Sequence, residues 1–218
     1  MVNKQSHYFD ENPKTQHQLR EFTVKLGEER YRFVSDSSTF SRNRLDHGSQ
    51  ILIEACLDLE DFPENGRILD LGCGWGPVGT IIYSFFPEIA LSFSDVNERA
   101  VELSRENFRR NCPGAKAEFH HSDGFAKIPG TYDMIILNPP IRAGKDLVYR
   151  LYAESFTSLN PGGRLLIVIQ RKQGAKSSQE ELERLFGVGQ VTDIARKSGY
   201  HVYAAEKQVA NGQGLVGR

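Results

Sequence analysis

Residues 67–77 read Arg-Ile-Leu-Asp-Leu-Gly-Cys-Gly-Trp-Gly-Pro, a short apolar run that ends in alternating glycines and a proline. Ile68 to Leu71 suit a strand buried on both faces. Gly72 and Gly74 suit a tight turn that lets a ligand approach the backbone, and Pro77 suits the first turn of a helix, where no amide donor is needed. In a dinucleotide fingerprint of the form G-x-G-x-x-G the third glycine would stand at 77, so Pro77 disfavours a pyrophosphate over this helix. Strand, glycine turn and helix in this order predict an open α/β sheet whose ligand crevice lies at the carboxyl ends of its strands.

Downstream of this stretch the pattern repeats. Strands are predicted at 89–95, 117–122, 132–138 and 163–170, and helices at 77–86, 97–111, about 145–158 and about 177–186. Asn97 is placed to cap its helix, and Arg109 and Arg110 sit in the last turn, where they favour the dipole. The segments 190–198 and 200–207 are too close for a crossover, so they predict an antiparallel hairpin at the edge of a doubly wound sheet with helices on both faces.

Upstream, after a polar lead of about 18 residues, Phe22, Val24 and Leu26 alternate, as do Tyr31 and Phe33, which predicts a small β-hairpin turning near Leu26–Glu29. A polar, irregular stretch follows, then a helix over 51–59. The organisation expected is an N-terminal extension at 1–44, one domain at 45–208 and a flexible tail at 209–218.

The 218 residues carry a formal charge of −1, which excludes a generally basic nucleic-acid binder, yet that balance is a cancellation. Residues 45–140 hold 7 basic and 15 acidic side chains, whereas 141–176 hold 7 basic and 2 acidic. No apolar run approaches the roughly 20 residues of a membrane span, and the opening MVNKQSHYFDENPK carries no apolar stretch, so a cytoplasmic protein without membrane partners is expected. Cys56, Cys73 and Cys112 cannot all pair and do not match metal-ligand spacing, so no structural metal is expected, and Cys73 has no identifiable partner to activate it as a nucleophile.

Three strand ends define the candidate pocket. Asp70 and the loop Gly72-Cys73-Gly74 close the first; Asp95, followed by Val96, lies 23 residues beyond Gly72 at the end of the second, where a carboxylate accepts both hydroxyls of a ribose; Asp123 and Gly124 end the third, within reach of an adenine edge. The acidic surroundings favour a cationic ligand. After the fourth strand, Asn138-Pro139-Pro140-Ile141 offers a side-chain amide and, because prolines fix φ and donate nothing, local carbonyls free to accept. An exocyclic amine or amide could donate one hydrogen to Asn138 and one to the Pro139 carbonyl. Trp75 either walls the pocket or packs beneath it. One of His120 and His121 is expected to be buried and the other exposed, and Tyr200, His201 and Tyr203 to be core and edge residues.

Asp70-Leu71-Gly72-Cys73-Gly74-Trp75-Gly76, Asp95, Asp123 and Asn138-Pro139-Pro140-Ile141 resemble the successive motifs of the class I S-adenosylmethionine-dependent methyltransferases. The resemblance implies a Rossmann-like, seven-stranded sheet with an antiparallel last strand, and S-adenosylmethionine as cofactor, converted to S-adenosylhomocysteine. It implies that the glycine loop faces the methionine part, that Asp95 holds the ribose, and that Asp123 and its neighbour read the adenine. Asn138, Pro139 and Pro140 would be catalytic, acting on a planar nitrogen.

Thr39-Phe40-Ser41-Arg42 followed by Leu45-Asp46-His47-Gly48-Ser49-Gln50-Ile51-Leu52 is similar to the segment that closes over the cofactor in the small-domain methyltransferases, typified by ribosomal RNA small-subunit methyltransferase C, a guanine-N2 enzyme. That enzyme has a second, degenerate domain, whereas this chain has a hairpin there. Ile141 departs from the aromatic residue that many relatives carry at that position, leaving apolar packing on the substrate.

Arg142 and Lys145 follow the catalytic turn, and Arg171, Lys172 and Lys176 follow the next strand; parallel strands bring both stretches to one edge, a rim suited to phosphates. The rim predicts a nucleic-acid partner, and the resemblance implies that this is ribosomal RNA or a ribosomal particle. The expected function is therefore methylation of an RNA exocyclic amine, guanine N2 in ribosomal RNA. A protein glutamine-amide methyltransferase and an RNA-binding assembly factor that retains the fold are the alternatives.

Overall fold

The computed structural model describes residues 19–36 and 44–209. Strands β1 (Leu19–Leu26) and β2 (Glu29–Asp36) form the predicted hairpin. A separate sheet contains β3 (Arg67–Leu71), β4 (Ala90–Asp95), β5 (Glu118–His121), β6 (Tyr132–Leu137), β7 (Leu159–Gln170), β8 (Val191–Lys197) and β9 (Tyr200–Glu206). Its order is β5-β4-β3-β6-β7-β9-β8, parallel from β5 to β7, with β9 inserted antiparallel to both β7 and β8. Strand order reverses between β3 and β6, so the crevice expected at a switch point lies at their carboxyl ends.

Alternation along the strands sorts side chains to two cores. Ile68, Met134, Ile136, Leu166 and Val168 face helices α1 (His47–Leu57), α2 (Pro77–Phe85) and α3 (Glu98–Asn111). Leu69, Ile135, Leu137, Leu165 and Ile167 face α4 (Lys145–Ser158) and α5 (Ala175–Phe186). Near-continuous apolar strands are what a sheet covered on both faces requires.

Several boundaries differ from the sequence expectation. Asp46 caps α1 by accepting the Ser49 N–H at 3.0 Å, so the helix starts at His47 rather than Ile51. β7 begins at Leu159, four residues early, because Tyr132 pairs with Leu159 across a bulge. His120 and His121 are both half-buried instead of divided between inside and outside, because the short β5 is an edge strand. The segment 39–42, including Arg42, lies outside the described residues, as do 1–18 and the tail beyond 209. Among the described residues no helix is long and apolar enough to cross a membrane.

The hairpin is docked by side-chain amides. Asn107 accepts the Val34 N–H and donates to the Val34 carbonyl, both at 2.8 Å; one turn on, Asn111 does the same for Arg32 at 2.9 Å. Four helical residues rise about 6 Å and two strand residues about 6.8 Å, so the two amides imitate a neighbouring strand along the edge of β2. The other Asn107 hydrogen goes to the Trp75 carbonyl at 2.8 Å, tying hairpin and glycine loop to one buried group. Trp75 packs edge-on against Phe22 and Phe33 from the hairpin, with centroids 5.2 and 4.9 Å away.

Replacing Asn107 with alanine leaves two carbonyls and an amide without their partner. A loss on the order of 3 kcal/mol is expected from urea denaturation. A change below about 0.5 kcal/mol would mean that these groups are satisfied in another way.

Candidate active site

A cavity of about 400 Å³ lies where the carboxyl ends of β3, β4, β6 and β7 meet the start of α1. The glycine loop supplies one wall. Gly74 has φ +56°, and a Cβ built on it meets nothing within 4 Å, so the loop faces open space. Gly76, at φ +82°, serves packing instead: a Cβ there would press on the Ser104 Cβ of α3 at 2.7 Å. Trp75 both lines the cavity and packs beneath it against the hairpin.

Asp95 holds the next wall by accepting the Gly74 N–H on one oxygen and the Asn97 N–H on the other, each at 2.9 Å. Each oxygen retains a second lone pair for a ligand hydroxyl. Burial pushes its carboxyl above the ordinary range despite these bonds. Asp70 accepts the Gly79 N–H at 2.9 Å, and burial together with the charge of Asp95 pushes it up to about 7. Two desolvated carboxyls beside one cavity favour a cation there, because positive charge would offset both effects. The buried Cys73 thiol, raised well above its usual value by burial and by Asp95 and Asp70, stays protonated and is no nucleophile.

Asp123 also lines the cavity, as do Val96 and Gly124. Its carboxylate is exposed and paired with Arg150 at 2.6 Å, and Arg150 in turn holds Glu154 at 3.1 Å. An adenine edge read by Asp123 would share it with that guanidinium.

Asn138 ends β6 with its amide nitrogen donating to Asp46 Oδ1 at 3.2 Å and to Ser49 Oγ at 3.0 Å. A carboxylate only accepts, so the amide is oriented with its own oxygen turned away from α1. The prolines behave otherwise than their sequence suggests. A 3-10 turn over Ile141–Ala143 follows them, and the Pro139 carbonyl accepts the Ile141 N–H at 2.9 Å while the Pro140 carbonyl accepts the Ala143 N–H at 2.9 Å. The turn satisfies carbonyls that the prolines leave without donors, so each keeps one lone pair rather than two.

Arg142 in the 3-10 turn Ile141–Ala143, with Lys145 at the start of α4, and the 3-10 turn Arg171–Gln173 follow adjacent parallel strands. Arg142 and Gln173 line the cavity; Lys145, Arg171 and Lys172 stand outside it, exposed. Among the described residues none of these four cations has an ion-pair partner.

The sequence places Asp46 and Ser49 only within the segment resembling one that closes over the cofactor, and assigns no role to Arg150 or to the cavity-lining Tyr200. The Asp46 cap is not read from the sequence, which places the helix from Ile51, and the bonds from Asn138 to Asp46 and Ser49 join residues too far apart in the chain to leave a local signal. Tyr200, expected among core and edge residues, instead faces the cavity with His47 edge-on at 5.6 Å.

A family model described as Methyltransferase small domain matches residues 30–204. The chain belongs to the small-domain methyltransferases. The YbxB protein of Bacillus subtilis, described as uncharacterised, is 39% identical to it, and the match covers 92% of this chain and 98% of that one. Ribosomal RNA small subunit methyltransferase C of Pasteurella multocida is 36% identical over 63% of this chain and 41% of its own. The chain spans about half or less of the ribosomal RNA enzymes it matches. The structure of the T. thermophilus 16S rRNA N2 G1207 methyltransferase, with AdoMet and guanosine, shares the fold at a TM-score of 0.76 and 24% identity, over 90% of this chain and 52% of that one. The cavity of this small-domain methyltransferase fits S-adenosylmethionine by its own features: open space over Gly74, lone pairs on Asp95, and acidic walls for a cation.

Asp70 keeps its proton in the fold up to about pH 7, whereas the unfolded chain loses it near the ordinary 3.8. The resulting stability is complete below that lower value and is lost as pH rises to about 7. Asp70→Asn, which keeps an acceptor for Gly79, is expected to flatten the decline in urea stability between pH 4 and pH 8 by on the order of 3 kcal/mol. An unaltered decline in the variant would assign it to other groups.

Proposed function

We propose that this small-domain methyltransferase methylates the exocyclic N2 of a guanine in ribosomal RNA in the cytoplasm, with residues 45–208 as the catalytic domain and 1–44 as an extension. The observation that carries the reading is the oriented Asn138 amide, whose nitrogen is held by Asp46 and Ser49 at the end of β6 beside the acidic cavity. The ribosomal RNA relatives, and the neighbour bound to AdoMet and guanosine, support the substrate class.

S-adenosylmethionine, when bound, supplies a methyl group already activated by its sulfonium and leaves as S-adenosylhomocysteine. Asp95 binds the ribose, Asp123 with Gly124 the adenine, and Asp70, Gly72, Cys73, Gly74 and Val96 form the remaining contacts. The amine donates one hydrogen to the Asn138 oxygen and one to the spare lone pair of the Pro139 carbonyl, which aims the nitrogen lone pair into the cavity. Orientation, and acceptors placed where positive charge grows on nitrogen, lower the barrier without a general base, and the methylated nitrogen loses its extra proton to solvent after transfer. Ile141 packs on the base, while Arg142, Lys145, Arg171 and Lys172 hold phosphates as the base is turned out of its stack.

Asn138→Ala is expected to bind cofactor within about threefold of wild type by calorimetry while losing roughly 10²- to 10³-fold in turnover. Near-normal turnover on ribosomal RNA would sink the mechanism.

If the four cations neutralise four phosphates, RNA affinity should fall with salt at a logarithmic slope of about −3, shallower by about 1 to 2 in Arg171→Ala/Lys172→Ala. Mass-spectrometric mapping of ribosomal RNA from cells with and without the protein should show one N2-methylguanosine lost. An unchanged map, or salt-independent binding, would overturn the RNA reading.

A further inference from the structure

We propose that Asp46 and Ser49, at the N-terminus of α1, are positioning residues that set which atom of the Asn138 amide meets the methyl acceptor. The inference rests on the reading of Asn138 given above and extends it to residues 92 and 89 positions away in the chain. An asparagine amide is nearly symmetrical in shape, and rotating it by half a turn exchanges an acceptor for a donor. An amine needs the acceptor; a flipped amide would present two N–H groups to it and repel the substrate. Something must therefore fix the amide before the substrate arrives, and Pro139, fixed in φ and without a donor, cannot.

Asp46 does so with an oxygen already committed to α1. Its Oδ1 takes the Ser49 N–H at 3.0 Å as the helix cap and the Asn138 Nδ2 at 3.2 Å, while Ser49 Oγ takes Nδ2 at 3.0 Å. Both amide hydrogens are thus used on α1, leaving the oxygen to the other side. Asp46 and Ser49 line the cavity themselves, so no intervening residue separates them from the reacting region.

The cap is held rigidly. Ile51, Leu52, Ile53 and Cys56 of α1 are each at most 2% exposed in the core. Gly48 lets the helix approach: a Cβ there would stand 3.2 Å from Asp46 Oδ1, 3.3 Å from the Tyr200 ring and 3.6 Å from Asn138 Nδ2. The first turn of α1 is thus packed against the end of β6 where the substrate amine would bind, an arrangement that places two hydrogen-bond acceptors, Asp46 Oδ1 and Ser49 Oγ, at fixed distance from the Asn138 amide nitrogen.

The test uses substitutions that separate capping from reach. Asp46→Ser keeps a capping oxygen but is too short to meet Asn138, Ser49→Ala removes the second acceptor and keeps the backbone N–H, and Asp46→Asn keeps both cap and reach. The double variant Asp46→Ser/Ser49→Ala is expected to lower kcat on ribosomal RNA roughly 10- to 100-fold, with KM for cofactor within about twofold and melting temperature within about 3 °C. Asp46→Asn should stay within about fivefold of wild type. A second measurement needs no substrate: the side-chain NH₂ pair of Asn138, assigned by its disappearance in Asn138→Ala, should move in the NMR spectrum of the double variant and stay in place in Asp46→Asn. Wild-type kcat in the double variant beside an inactive Asn138→Ala overturns the positioning role and leaves the reading of Asn138 standing. Activity in Asn138→Ala overturns that reading instead. An unmoved NH₂ pair in the double variant overturns the positioning role whatever the RNA assay gives.

Discussion

A parallel sheet ends in loops that must satisfy their polar groups without a neighbouring strand, and here side-chain carboxylates and amides take that part. Asp95 bonds Gly74 and Asn97, Asp70 bonds Gly79, Asn107 bonds Val34 and Trp75, and Asp46 bonds Ser49 and Asn138. A buried donor or acceptor left without a partner costs about 1–3 kcal/mol, enough for a few such groups to decide how a loop is held. The glycine loop is consequently gripped from β4 by Asp95 and from α3 by Asn107, and the remaining lone pairs point to the cavity.

That solution has an electrostatic cost which the function uses. Asp70 and Asp95 are desolvated beside one another, and both are pushed upward from the ordinary carboxylate range. Carboxyls in this condition bind a cation well, because a nearby positive charge restores the ionised form that burial opposes. The acid-rich run of 45–140 contributes Asp46, Asp70, Asp95 and Asp123 to this wall, and the basic stretch after it supplies exposed Arg142, Lys145, Arg171 and Lys172 at the same edge. The charge of −1 thus conceals an acid-rich run that contributes to the cavity wall and a basic stretch exposed at the same edge.

The hairpin bears on the site as well. Trp75 stands between two aromatic rings of the hairpin and the cavity, so a shift of β1 and β2 is transmitted to the glycine loop through the ring contacts and through Asn107. Ile141 also lines the cavity with apolar surface, and Tyr200 at the start of β9 adds an aromatic face.

The amino-acid sequence determined the order and type of the elements, since apolar alternation, glycine turns and helix caps act over a few residues and are visible in any short window. The places of Asp70, Asp95, Asp123 and Asn138 at strand ends followed from the same local signals, because a sheet of parallel strands brings its carboxyl ends to one edge. Tertiary structure alone decided which of these groups meet and which are already engaged. The bond from Asn138 to Asp46 spans 92 residues, that from Asn107 to Val34 spans 73, and Arg150 reaches Asp123 across 27. Such pairs carry no periodic signal; they are fixed by the packing of α1 and α3 on one face of the sheet and α4 on the other. Even the Pro139 carbonyl, open in the sequence, is half occupied because the chain turns back on it at Ile141.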